Sequence, residues 1–383
     1  MSRLPRILLV GNYEPDRQHS MLRYADWLAA ALQSRGYDVD VVAPPVRLRR
    51  RAAGATARKW LGLVDKFILF TSALRKIAPH YDLIHICDHT NAPYALALGG
   101  RRVSLTCHDL IPIKVLTGEI AGQSLPLTGR LLQRLVRFAL KRIKHVIHVS
   151  EATRGDFHRL IGQPAGSEAV IANPVIGFGT MTKDQAADVL KQAGLPTDRA
   201  FLFHIGSNLW YKNRSGVVRL FGLLRRNREW AEAVPDALMI CAGPPLPETV
   251  IAEAQDWREN LVMINEPSPE LIEALYVRAQ AMLFPSLDEG FGWPIIEAQA
   301  CGCPVITSDR EPMRSVAGPA SLLIDPTQPE TAAQTIAGRW SWLMAQSDAA
   351  RAHARLFSED AIAKQYSGYV AGLGAMRAED RAA

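Results

Sequence analysis

Two carboxylates, Glu289 and Glu297, stand eight residues apart in "FPSLDEGFGWPIIEAQACGCPVI" (284–306), a stretch otherwise apolar enough to be core. An unpaired carboxylate is costly to bury, so polar groups are expected to meet both. On one continuous helix this spacing would align them on a face. Gly290, Phe291, Gly292 and Pro294 interrupt it. Glycine allows a tight turn with bare backbone, and proline suits the first helical position. The segment therefore reads as a loop carrying Glu289 and residues Gly290, Phe291, Gly292 and Trp293, then a helix with Pro294 first and Glu297 in its first turn. Unpaired N–H groups at such a helix start suit phosphate. Carboxylates for hydroxyl groups and amides for anionic oxygens together suit a nucleotide sugar.

Three other segments carry groups able to join that chemistry. "HIGSNLWYKNRSG" (204–216) offers Ser207, Lys212, Asn213 and Arg214, and a lysine beside a helix start can neutralise a departing diphosphate. "TCHDLIP" (106–112) offers His108 and Asp109 at a strand end. "GNYEPDRQHSMLRYA" (11–25) offers Gly11, Gln18, His19 and Ser20, ahead of a helix starting near Ser20 whose amides can face phosphate. His19 and Ser20 could equally cap that helix. "HICDH" sets His85 and His89 four apart, like zinc ligands, but His85 lies in a strand and no HExxH accompanies it. Both histidines read as structural. Cys301 and Cys303 are too close for a zinc pair. No GxGxxG follows a strand, and no DxD-type acidic pair occupies a suitable loop, so neither a redox dinucleotide nor a metal is expected.

The elements that must position these groups alternate regularly. "RILLV" (6–10), "DVDVV" (38–42), "DLIHI" (82–86), "VSLTC" (103–107) and "HVIHV" (145–149) read as strands separated by helical patterns. Pro174, Gly177 and Gly179 break the rhythm near 172–183. It restarts with "FLFHI" (201–205), "ALMICAG" (237–243), "LVMI" (261–264), "AMLF" (281–284), "PVIT" (304–307) and "SLLI" (321–324). This is βαβ rhythm, implying parallel sheets covered on both faces. The expected architecture is α/β, with two tandem doubly wound Rossmann-like domains over 1–175 and 176–358. A last helix over 359–383 is expected to pack back toward the first domain. Ligands in such folds sit beyond the carboxyl ends of strands. The loops after "RILLV", "VSLTC", "FLFHI" and "AMLF" are the ones expected to matter.

With 383 residues, 48% of them hydrophobic and 21% charged, the chain suits two globular domains. No apolar run approaches the roughly 20 residues that span a bilayer. The four-residue apolar run near the start reads as a strand rather than a signal peptide. Five unframed cysteines suit a reducing cytosol as core filler. The net charge of +6 is unevenly placed. Arg47, Arg49, Arg50, Arg51, Arg58, Lys59, Lys66, Arg75 and Lys76 face one acid, Asp65, between 47 and 76. "RLLQRLVRFALKRIK" (130–144) places Leu131, Leu132, Leu135, Val136, Ala139, Leu140 and Ile143 at helical spacing among arginines and lysines. Such segments suit a solvated helix face or an anionic membrane surface. Without aromatic interleaving or a binding motif they do not point to nucleic acid.

"EGFGWPIIE" followed by "AQACGCPVI" resembles the signature of retaining family 4 glycosyltransferases of the GT-B fold (glycosyl transferases group 1), two domains facing each other across a cleft. The resemblance covers most of the chain. It implies that Glu289 contacts donor-sugar hydroxyls and Glu297 the ribose, with amides of Gly290 to Trp293 meeting sugar and diphosphate. Lys212 resembles the diphosphate-binding lysine. The arginine usual a few residues earlier is missing, and Arg214 is the candidate replacement. The "HD" of His108 and Asp109 resembles a pair whose histidine contacts the sugar near the reacting carbon. The glycine-rich turn usual after the first strand is reduced here to Gly11. The resemblance implies a metal-independent, retaining hexosyltransferase without cofactor, using a UDP or GDP sugar. Its acceptor would be a glycan or polyprenyl-linked sugar, received by the first domain. The setting would be surface polysaccharide or glycolipid synthesis, in the cytoplasm or at the inner face of the plasma membrane. A nucleotide-sugar epimerase of the same fold, a non-catalytic nucleotide-sugar binder and a nucleic-acid binder are the rival readings.

Overall fold

The computed structural model of the protein describes residues 4–99 and 102–382, with side chains to Gly374. The chain forms two compact units, Met1–Ala172 with Glu359–Ala383, and Asn173–Ser358.

The first unit is built on a six-stranded parallel sheet of β1 (Arg6–Val10), β2 (Asp38–Val42), β3 (Leu83–Ile86), β4 (Val103–Cys107), β5 (His145–His148) and β6 (Glu168–Val170). The strands lie in the order β2-β1-β3-β4-β5-β6. Central strands such as "LIHI" of β3 are buried at every position, because helices cover both faces of a parallel sheet. The edge strand β2, "DVDVV", alternates acidic and apolar residues and is only partly covered. The core joins Leu8, Val10, Ile84, Ile86, Leu105 and Val146 on the strands to Leu74, Leu140 and Phe157 on helices.

Polar strand residues tie the last helix, Glu359–Ala382, to this sheet. His85 bonds Ser104 Oγ at 2.8 Å and Thr106 Oγ1 at 3.0 Å. Tyr24 OH meets Thr106 Oγ1 at 2.9 Å and Tyr366 OH at 2.6 Å. Burial holds the His85 imidazole down at about 3, so it stays neutral and its two ring nitrogens serve as one donor and one acceptor. His85 is thus a core histidine. At the surface, Arg35 pairs with Asp360 at 2.7 Å.

The basic helix spans Leu127–Leu140. Its expected apolar face is divided. Val136, Ala139 and Leu140, with Ile143 beyond its end, are buried, whereas Leu131 and Leu135 stand exposed beside Leu127 and Phe138.

The second unit repeats the design with β7 (Phe201–Ile205), β8 (Leu238–Ala242), β9 (Leu261–Ile264), β10 (Ala281–Phe284), β11 (Val305–Ser308) and β12 (Leu322–Ile324). Their order is β12-β11-β10-β7-β8-β9, all parallel. Its entry segment is fixed by a buried carboxylate. Glu273 Oε1 accepts the backbone N–H of Gly179, Thr180 and Met181 at 2.8–3.0 Å. All five cysteines are buried and free.

Candidate active site

In the second unit the strand order reverses between β7 and β10, and a crevice beyond the carboxyl ends opens at such a point. The two loops that leave there are tied together. Leu287 N–H donates to Tyr211 O at 2.7 Å, and Asn213 Nδ2 donates to Pro285 O at 2.9 Å. Between them Lys212 Nζ pairs with Glu289 Oε1 at 2.7 Å, the two side chains being 18% and 9% exposed. Partial shielding from water strengthens this attraction relative to a surface pair. Asn213 adopts a left-handed backbone (φ 51°) ahead of the helix Arg214–Arg226. Its side chain is committed to Pro285 and makes no cap on that helix.

Gly243 explains how the neighbouring loop comes so close. At φ 126° it lies where a Cβ would stand 2.2 Å from Gly206 O, so only glycine fits. Arg214 braces the same junction, Nη1 donating to Pro244 O at 2.6 Å and to Asn208 Oδ1. The side chain is buried. Its Nε and Nη2 have no hydrogen-bond partner among the described residues. Ser207, in the loop directly after β7, is half-buried.

The helix after β10 spans Trp293–Ala300, with Gly292 as N-cap at φ 98°. Pro294 is therefore its second residue, not its first, and Glu297 its fifth. Glu297 sits in the second turn rather than the first because Trp293 already has helical backbone. It is 4% exposed, and Tyr276 OH lies 3.4 Å from its Oε2. Trp293 Nε1 donates to Pro174 O at 2.6 Å, and the Phe291 ring meets Phe357 edge-on at 5.8 Å. These aromatic side chains anchor the loop. What residues 290–293 can offer a ligand is backbone.

In the first unit the order reverses between β1 and β3. Asn12 Nδ2 donates to Asp88 Oδ2 and to Gln18 Oε1, and Asn91 Nδ2 donates to Asn12 Oδ1 at 2.9 Å. Asp88 is buried and also accepts Thr90 N–H at 3.0 Å and Thr90 Oγ1–H at 2.8 Å. His89 Nδ1 lies 3.1 Å from Asp88 Oδ1, and His89 Nε2 lies 4.0 Å from Asp109 Oδ1. Burial would raise the Asp88 pKa, but His89, His108 and the Thr90 amide outweigh it and hold the carboxyl well below its usual range. Burial likewise opposes charge on His89, and Asp88 with Asp109 reverses that, raising its pKa. Asp109 Oδ1 accepts Ile111 N–H at 3.0 Å, fixing the turn after β4.

His108 is buried, with Nε2 3.0 Å from Cys87 O and its ring edge-on to Tyr24 at 4.8 Å. Burial holds its pKa at about 4, so the ring is neutral at pH 7. A carbonyl only accepts, so Nε2 carries the proton and Nδ1 presents a lone pair. Nδ1 has no protein partner among the described residues. It can accept a hydrogen bond while the ring stays neutral.

Gly11 is buried, its N–H donating to Val42 O at 2.8 Å. The helix that follows spans His19–Gln33, with Gln18 as N-cap and no side-chain cap bond. His19 and Ser20 are exposed and neither caps it.

Asn12 lies in the loop after β1, and Asp88 and His89 lie in the loop after β3, where the rule about strand ends applies as well. His89, read as structural from "HICDH", joins the polar cluster at the β1–β3 reversal.

Two family profiles match the chain, Glycosyltransferase Family 4 over residues 21–176 and Glycosyl transferases group 1 over residues 186–340. An O-antigen chain mannosyltransferase B of Escherichia coli is 36% identical over 206 residues, 51% of each chain. The chain spans about half the length of the O-antigen relatives it matches. A GDP-mannose-dependent alpha-(1-6)-phosphatidylinositol monomannoside mannosyltransferase of Mycolicibacterium smegmatis is 25% identical over 84% of this chain and 85% of that protein. Among solved structures, Anabaena HepE in complex with UDP and glucose superposes with a TM-score of 0.73 at 16% identity, covering 96% of this chain and all of that one. That likeness establishes the two-unit α/β fold known as GT-B. The chain belongs to the glycosyltransferases, its first unit to Glycosyltransferase Family 4 and its second to Glycosyl transferases group 1.

Proposed function

We propose that the protein is a retaining, metal-independent hexosyltransferase that moves a hexose from a UDP or GDP sugar to a glycan or polyprenyl-linked acceptor. The observation that carries this reading is the Lys212–Glu289 pair at the β7–β10 reversal, with Glu297 buried in the helix that follows. Lys212 is placed to exchange part of its pairing with Glu289 for the diphosphate, whose charge grows as the glycosidic bond breaks. Glu289 accepts donor-sugar hydroxyls. Glu297 holds the ribose. The departing phosphate takes the proton of the incoming hydroxyl on the same face. The names of the two mannosyltransferase relatives favour mannose within this class, and that of the Mycolicibacterium smegmatis relative favours GDP.

The reading includes contact with the inner face of an anionic membrane, in polysaccharide or glycolipid synthesis. Leu127 (71% exposed), Leu131 (55%), Leu135 (40%) and Phe138 (49%) leave an apolar stripe beside Arg130, Arg134, Lys141 and Arg142. Such a stripe suits insertion at the headgroup boundary.

The test is steady-state nucleotide release with a panel of nucleotide sugars. Glu289→Ala is expected to lower kcat at least a hundredfold. Glu297→Ala is expected to raise the donor KM about tenfold or more while sparing kcat. Small, equal effects of both changes would sink the assignment. Isomerised sugar formed without acceptor would favour an epimerase.

A further inference from the structure

The arginine-rich segment after β2 is organised around one buried acid. Asp65 is fully buried and opens a π-helical turn, Asp65–Phe70. Its carboxylate accepts the backbone N–H groups of Arg47 (3.1 Å), Leu48 (2.8 Å) and Arg49 (3.0 Å), and the Tyr13 hydroxyl (3.0 Å). Three consecutive amides on one carboxylate fix the path of the chain. Arg49 is turned inward by this path, its guanidinium lying against Gly62, where a Cβ would meet Arg49 Nη1 at 3.6 Å and Tyr13 Cε1 at 3.5 Å.

The other arginines are turned outward. Arg47, Arg50 and Arg51, with Val46, Leu48 and Leu69, line a cavity of about 470 Å³. No ion pair among the described residues engages Arg47, Arg50 or Arg51. Three like charges held around one space repel each other unless an anion enters. The Asp65 anchor fixes the backbone of 47–49, from which Arg47 projects and which leads directly into Arg50 and Arg51. Guanidinium groups match phosphate oxygens in bidentate fashion. The remaining walls are aliphatic, and Trp60 and Ile68 of the adjoining turns are more than half exposed.

We infer that this cavity binds a phosphate group carried on an apolar chain, the arginines taking the phosphate and Val46, Leu48 and Leu69 the first part of the chain. None of the residues lining the cavity belongs to the polar cluster at the β1–β3 reversal. It deepens the acceptor side of the proposed function, but its test uses no donor sugar, so either idea can fail alone.

The experiment is isothermal titration calorimetry of the full chain with monomeric octyl phosphate, inorganic phosphate and octanol. Octyl phosphate is expected to bind at least tenfold more tightly than either of the others. The triple variant R47A/R50A/R51A, whose altered side chains are exposed, is expected to bind octyl phosphate at least tenfold more weakly, with an unchanged circular dichroism spectrum. K183A/R228A/K364A, which removes the same charge from exposed positions outside both basic segments, is expected to stay within twofold of wild type. Leu69→Gln is expected to keep inorganic phosphate binding and lose most of the gain from the chain. Equal binding of octyl and inorganic phosphate would overturn the inference. So would an undiminished affinity in the arginine variant, or an equal loss in the lysine and arginine control.

Discussion

Asp65 gives the sharpest test of how the first unit is held. Replacing it with Ala removes an acceptor from four donors, three backbone amides and the Tyr13 hydroxyl. A hydrogen bond to a charged group contributes about 1.5–3 kcal/mol. The simple sum overstates the loss for two reasons. The amides of 47–49 lie in a partly exposed segment and can rehydrate, and the variant no longer bears the cost of burying a carboxylate. Tyr13 is 2% exposed and has no such escape. The expected net loss is about 3 kcal/mol, with Asp65→Asn somewhat less costly because it keeps the shape and one acceptor oxygen. For a unit of roughly 200 residues this lowers Tm by about 6–12 °C. Urea denaturation followed by tyrosine fluorescence and circular dichroism measures it. Burial alone would raise the Asp65 pKa, but the amides and Tyr13 lower it below the ordinary value. A depressed native pKa contributes stability that is present above the unfolded value, about 3.9, and lost as pH falls through the native one. The gap between wild type and Asp65→Asn should therefore be constant near neutral pH and shrink below about pH 4. A loss under about 1 kcal/mol, or a gap that widens on acidification, would refute the reasoning.

Glu273→Ala should destabilise the second unit by about 2–3 kcal/mol, since the N–H groups of Gly179, Thr180 and Met181 lose a shared acceptor. Glu273→Gln should cost less, and denaturation midpoints of the two variants give the comparison. Leu131→Ser with Leu135→Ser should abolish sedimentation with vesicles rich in anionic lipid at low salt while leaving the fold intact, because both side chains are exposed. Unchanged sedimentation would remove the membrane role of that stripe.

Much of the framework can be read in the chain because a parallel strand covered on both faces is written as an unbroken apolar run. "RILLV", "FLFHI" and "AMLF" match β1, β7 and β10 residue for residue. The short edge strand β6, "EAV", escapes such reading, since a half-covered strand needs no apolar run. The loop position of Glu289 likewise follows from glycine and proline placement, which is local chemistry. The length of the helix after it does not, and the helix starts one residue earlier than Pro294 suggests.

What the sequence by itself determined was the kinds of groups present and the βαβ order that brings them to strand ends. Only the tertiary structure decided who meets whom. Lys212 pairs with Glu289 across 77 positions because β7 and β10 are neighbours in the sheet. Asp88 meets Asn12 across 76 because β1 lies beside β3. The same strand-end rule could have pointed to the loop after β3, but not to its partners. The bond from Arg214 Nη1 to Pro244 O, 30 positions away, is likewise set by the packing of β7 against β8 and not by local spacing. Residue type and local spacing set what a side chain can do, because conformational preferences act over a few residues. Strand order sets what it can reach, because sheet pairing joins segments far apart in the chain, and no local pattern records that distance.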